Sequence, residues 1–142
     1  MKLRIEMTVP GVAATKGSWV VMPNGRLRSD NKKEKAWSAA VGWAAKAAML
    51  AAGARTPFAG PVRVEIEVRF PRPRTTKFAV PPRRDVDKLA RSVLDALTGV
   101  AYEDDGQVSE LRVSKAWCKQ GSEEGACTHI IVETGRPEEE SR

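Results

Sequence analysis

Val62-Arg63-Val64-Glu65-Ile66-Glu67-Val68-Arg69-Phe70 alternates apolar and charged side chains without a break. Successive side chains of an extended chain point to opposite faces, so this run predicts a strand buried on one side and wet on the other. Directly after it comes Pro71-Arg72-Pro73-Arg74-Thr75-Thr76-Lys77-Phe78-Ala79-Val80-Pro81-Pro82-Arg83-Arg84. Its four prolines exclude regular structure, because each removes a backbone donor and fixes φ. The period then changes. Val86, Leu89, Ala90, Val93, Leu94 and Leu97 make one apolar face of a helix over about 86–98, and Gly99 stops it.

Outward from this centre the same two periods recur. Leu3, Ile5, Met7 and Val9 alternate with Lys2, Arg4, Glu6 and Thr8, a half-buried strand ended by Pro10-Gly11. Residues 10–29 form a long loop, in which Asn24-Gly25 between Val20-Val21-Met22 and Leu27 suits a small hairpin. Ser29 or Asp30 is placed to cap an Ala-rich helix over roughly 31–52, with Trp37, Val41, Ala44, Ala48 and Ala51 as its buried stripe and Gly53 at its end. Trp37 and Trp43 are expected in the core or an interface. Val108–Trp117 and Ala126–Val132 read as two closing strands. The expectation is an α+β fold, a single small domain over residues 1–135 with a mixed sheet of about four strands and two main helices. Residues 136–142 form a polar C-terminal tail.

Composition narrows the function classes. The apolar fraction is 42%, ordinary for a globular chain of 142 residues with room for a core. The formal charge of +6 is unevenly spread: residues 1–91 carry 19 basic against 7 acidic side chains, residues 92–142 carry 5 against 11. A basic front half suits a polyanionic partner, because Lys and Arg displace counterions from phosphates. Cys118 and Cys127 flank a glycine-containing loop and are placed to bracket a hairpin, but two cysteines are no disulfide framework, and a single histidine makes a zinc site improbable. His129, in a strand, is expected to be structural. No apolar signal run opens the chain and no segment reaches the ~20 apolar residues of a membrane span, which points to a cytosolic, cytoplasmic protein without a membrane.

Against this positive background stand two acidic pairs, Asp85-x-Asp87 at the start of the second helix and Asp104-Asp105 beyond its end. Like charges placed together need something positive between them, and hard oxygen donors favour a divalent cation. Asp85 has an ordinary alternative as the helix N-cap. Asp87 has none, and with Arg91 and Asp95 it forms a stripe at spacing four. Asp104-Asp105-Gly106 is by itself a good turn. The two pairs meet only if the strand beginning at Gln107 runs antiparallel beside the helix. If they do, phosphodiester hydrolysis follows: carboxylate-held Mg²⁺ activates water and compensates charge on the transition state, and Arg91 or Lys88 neutralises the rest. The basic loop immediately before Asp85 is expected to order on DNA.

The run Arg84-Asp85-Val86-Asp87-Lys88-Leu89, then Leu94-Asp95-Ala96-Leu97-Thr98-Gly99, then Asp104-Asp105-Gly106-Gln107-Val108, with Lys115 eight residues after the glutamine, resembles the signature of the RusA family of Holliday junction resolvases. The resemblance is dense over residues 84–117. It implies a homodimeric, Mg²⁺-dependent endonuclease (Mn²⁺ able to substitute) that binds four-way DNA junctions and nicks two opposing strands in recombination and repair. The family's metal-binding acids map to Asp85, Asp87 and Asp105, with Asp104 adjacent and Arg91 in the position of a functional lysine. DNA contacts are expected from Lys16, Arg72, Arg74, Lys77, Arg83, Arg84, Lys88 and Lys115. Two positions depart from the pattern: Lys88 replaces the usual asparagine and Arg91 the lysine. If the latter position only stabilises charge, activity survives; if it moves a proton, activity suffers, since arginine does not readily lose one. The alternatives are a non-catalytic junction- or DNA-binding protein, and an interaction protein whose basic and acidic halves pair in an assembly. The Ala-rich helix is one candidate dimer interface.

Overall fold

The computed structural model describes residues 2–15, 19–21, 23–25, 27–29, 32–82, 85–118 and 125–135. The elements in chain order are β1 (Arg4–Pro10), β2 (Trp19–Val21), β3 (Leu27–Ser29), α1 (Lys32–Ala51), β4 (Val62–Phe70), α2 (Val86–Leu97), a 3₁₀ turn (Asp105–Gln107), β5 (Val108–Trp117) and β6 (Cys127–Thr134). The main sheet has the order β1-β6-β4-β5, and β2 and β3 form a separate antiparallel hairpin around Asn24-Gly25. The fold is α+β, as the alternation of periods predicts.

Strand β4 is the centre of the design. It pairs antiparallel with β6 and parallel with β5. Parallel neighbours cannot be joined by a tight turn, so the chain leaves the sheet after β4, traverses α2, and returns to start β5 beside the start of β4. Val62, Val64, Ile66, Val68 and Phe70 are buried, and the intervening charged residues remain half-exposed. Ile5, Met7 and Val9 of β1 and Ile130 and Val132 of β6 extend the same apolar face. Trp37, Val41, Ala45 and Met49 of α1 and Leu89, Ala90, Val93 and Leu97 of α2 cover it. The opposite face stays open and carries ion pairs. Arg63 is their hub, with Nη1 2.7 Å from Glu133 Oε1 and Nε 3.2 Å from Glu110 Oε2.

Four expectations need correction. The buried stripe of α1 steps by four from Trp37 through Val41 and Ala45 to Met49, so Ala51 is exposed. Trp43, 71% exposed, is not in the protomer's core, one of the two places expected for it. Val86 is 39% exposed, because the inward face of α2 begins one turn later at Leu89. Cys118 and Cys127, both free, do not bracket a hairpin: β4 lies between β5 and β6 in the sheet. His129 is structural in the expected sense, with Nε2 2.7 Å from Glu6 Oε1 across the β1–β6 pair. Among the described residues no helix is long and apolar enough to cross a membrane.

Candidate functional site

The turn before α2 sets the first acidic pair. Asp85 occupies the N-cap position in extended conformation, and its carbonyl accepts from Leu89 N at 3.1 Å. Its carboxylate makes no capping bond. The ordinary explanation for this acid therefore accounts for its backbone and not for its side chain. Asp85 Oδ2 lies 3.7 Å from Lys88 Nζ, with both side chains exposed. Asp87, within the first turn, is exposed and has no partner among the described residues. Arg91 follows on the same exposed stripe.

The second acidic pair is built differently. Asp104 Oδ1 accepts from Gly106 N at 3.0 Å, and Gln107 Oε1 accepts from the backbone N–H groups of Glu103 and Asp104 at 2.9 and 3.0 Å. This reciprocal capping box fixes the 3₁₀ turn. The Gly106 amide holds the Asp104 carboxyl below the usual carboxylate range, and the Asp105 carboxyl within hydrogen-bonding reach adds to the effect. Gln107 does more than cap: its Nε2 donates to Phe58 O at 2.8 Å and Gly60 O at 2.9 Å, pinning the turn to the segment that enters β4.

Sequence reading passed over Tyr102, the residue that ties this turn to α2. It is fully buried, and its hydroxyl donates to Leu94 O at 2.8 Å. Burial pushes the phenol far above its ordinary range, with the Asp105 and Asp95 charges adding to the shift. A lone tyrosine in a sequence carries no signal for such a role; only the placement of Ala101 and Phe58, joined by a 2.7 Å backbone bond, makes it visible.

The acids thus gather as two pairs at the two ends of one helix. Asp85 and Asp87 stand at the first turn of α2. Asp104 and Asp105 follow a segment folded onto its last turn, where Gly99 N donates to Tyr102 O at 2.7 Å. Ten helical residues separate Asp87 from Leu97 by roughly 15 Å. Strand β5 does return antiparallel to α2 from that end, but what it carries toward the helix start is Lys115. Lys115 is opposite Val68, on the sheet face that the helices cover. Among the described residues no three Asp, Glu, His or Cys side chains group closely enough to hold a metal ion.

The basic loop lies at the same end of the sheet as Asp85 and Asp87. Arg72, Arg74 and Lys77 are exposed on it. Lys16, Arg83 and Arg84 lie outside the described residues. One protomer therefore brings together Asp85, Asp87, Lys88, Arg91, the loop cations and, by register, Lys115. It sets Asp104 and Asp105 apart from them.

Among known families, the model for endodeoxyribonuclease RusA matches residues 10–131. No curated protein gives a match. The match takes in β1's end, both helices, the two acidic pairs and all but the last three residues of β6, so the chain belongs to the RusA endodeoxyribonuclease family.

Proposed function

We infer that this endonuclease resolves four-way DNA junctions as a homodimer, placing paired symmetric nicks with a divalent cation, Mg²⁺, held by its aspartates. The observation that carries the reading is the state of the four carboxyl groups. Asp85 has no capping bond, Asp87 has no partner among the described residues, and Asp104 and Asp105 contact each other. Such oxygens fit a hard dication in chemistry. Bound there, the cation would supply an activated water and charge compensation on the phosphate.

The chain's own groups do the rest. Arg72, Arg74 and Lys77 fix the sugar-phosphate backbone beside the start of α2, and Lys115 continues that track. Arg91, one turn beyond Asp87, is placed to clamp a phosphate oxygen bidentately. Because the two acidic pairs sit at opposite ends of α2, a complete site draws one pair from each copy of the chain. A two-fold dimer then has two such sites, matching the near two-fold symmetry of a junction. The test is cleavage of a synthetic mobile junction with Mg²⁺ or Mn²⁺. Paired nicks that disappear with Asp87→Asn support the reading; intact junction with every divalent ion rejects it.

One observation favours the non-catalytic alternative. The Lys88 ammonium, where the family pattern has asparagine, competes with a cation for Asp85. Replacement Lys88→Asn then discriminates: a rise in cleavage from a silent wild type identifies a junction binder that has lost its chemistry.

A further inference from the structure

We propose that Phe78, with Val80 beside it, is a base-stacking wedge that reads the open centre of the branched substrate; the inference rests on the junction-cutting reading above. Phe78 and Val80 are 50% and 49% exposed, at the tip of a loop whose other exposed side chains include Arg72, Arg74 and Lys77. Half of each of these apolar residues stays uncovered among phosphate-seeking cations. The charge around it selects a nucleic acid as its partner, because a protein or lipid partner offering apolar contact would also have to satisfy those cations.

The loop is built to present that side chain. Phe78 O accepts from Trp117 Nε1 at 3.0 Å, and Phe78 N donates to Thr76 Oγ1 at 3.2 Å. At its base the loop is closed by Cys118 N donating to Phe70 O at 2.8 Å, and after the tip Pro81 is buried. The backbone of Phe78 is therefore held on both sides while half of the residue stays exposed. Prolines 71, 73, 81 and 82 reduce the freedom lost when the loop docks. Asp85 follows Phe78 by seven positions, a reach of at most ~25 Å, so ring and carboxylate can engage one branched substrate together.

Structure selectivity follows from where bare base faces exist. In a duplex every base is stacked on both sides, and inserting a ring requires unstacking a step. At a branch point stacking is interrupted, and an aromatic ring finds a face without that cost. Sequence-independent stacking on an aromatic side chain is of the size seen in single-strand binders.

The experiment measures binding without divalent cation, for wild type, Phe78→Ala, Phe78→Trp and Phe78→Leu, to a four-way junction and to a duplex of the same arms. 2-Aminopurine at the branch point reports stacking. The expected result is junction affinity reduced about 5- to 100-fold in Phe78→Ala, duplex affinity within twofold, and both affinity and 2-aminopurine quenching restored by Phe78→Trp but not by Phe78→Leu. A wild-type preference for the junction that survives Phe78→Ala overturns the wedge alone. Equal losses on junction and duplex also overturn it, showing a general contact. A wild type with no preference for the junction overturns both the wedge and the reading it rests on.

Discussion

At the scale of single residues, the least conspicuous side chains hold the site. Tyr102 is the chain's one tyrosine, so its phenol can be followed by ultraviolet absorbance without overlap from another. Burial favours the neutral form, so between the ordinary phenol range near ~10 and its higher folded value the unfolded chain releases a proton that the folded chain keeps. Stability contributed by Tyr102 is therefore complete below pH ~10 and falls as pH rises above it. Folded protein at pH ~10.5 should show no phenolate band until guanidinium is added; a tyrosine that titrates normally in the native state contradicts the burial. Gln107 invites a sharper exchange. Gln107→Glu keeps the shape and turns the two-bond donor into an acceptor facing the Phe58 and Gly60 carbonyls. The loss should be roughly 2–3 kcal/mol by urea denaturation, with cleavage falling further because Asp104 and Asp105 ride on that turn. Arg91 is exposed, and a guanidinium does not give up its proton at neutral pH. In the proposed site it would serve as a fixed charge. Arg91→Lys should then stay within roughly tenfold of wild-type cleavage, while Arg91→Gln loses on the order of 10²-fold; a large gain with lysine would assign that position to proton transfer.

At the scale of elements, periodicity was informative wherever one face is buried. Nine alternating residues located β4 to the residue, and the helix over 86–98 matches α2 to within one position. Where a pattern has no amphipathic contrast it misleads: the alanines of α1 are apolar on every side, so the predicted stripe runs through Ala44, Ala48 and Ala51 where the structure buries Ala45 and Met49. Hydropathy was equally blind to pairing. Nothing in the residues of β5 and β6 tells that β4 inserts between them, since strand order is decided by non-local contacts. The acidic pairs were legible as chemistry but not as geometry, because a helix between two parallel strands must place its start and its end at opposite edges of the layer. The inward face of α2 gives a direct test. Leu97→Ala removes a fully buried side chain and should cost about 2–4 kcal/mol, whereas Val86→Ala, at the exposed start of the same apolar pattern, should stay within about 0.5 kcal/mol. Equal effects in chemical denaturation would mean that the helix is rotated from the described position.

At the scale of the whole molecule, the separation of the acidic pairs makes a statement about assembly that sequence alone cannot. A protomer that held all four carboxyl groups at one point would be self-sufficient, and dimerisation would serve only to place two finished sites on symmetric strands. With the pairs at the two ends of α2, the proposed catalyst would need a second copy to complete each site. The two arrangements differ in how inactive variants combine. Asp87→Asn spoils the pair at the helix start, and Asp105→Asn spoils the pair beyond its end. If each site lies within one protomer, every site in a mixed dimer carries one defect, and mixing the variants restores nothing. If each site takes one pair from each copy, a mixed dimer concentrates both defects in one site and leaves the other with all four natural aspartates. Refolding the two variants together should therefore recover junction cleavage in about half of the dimers, the share that random mixing makes mixed, and those dimers should nick one strand without the partner cut. Silence on mixing, with dimer exchange verified by differently tagged chains, would return the active centre to the single protomer and require α2's ends to approach in the DNA complex.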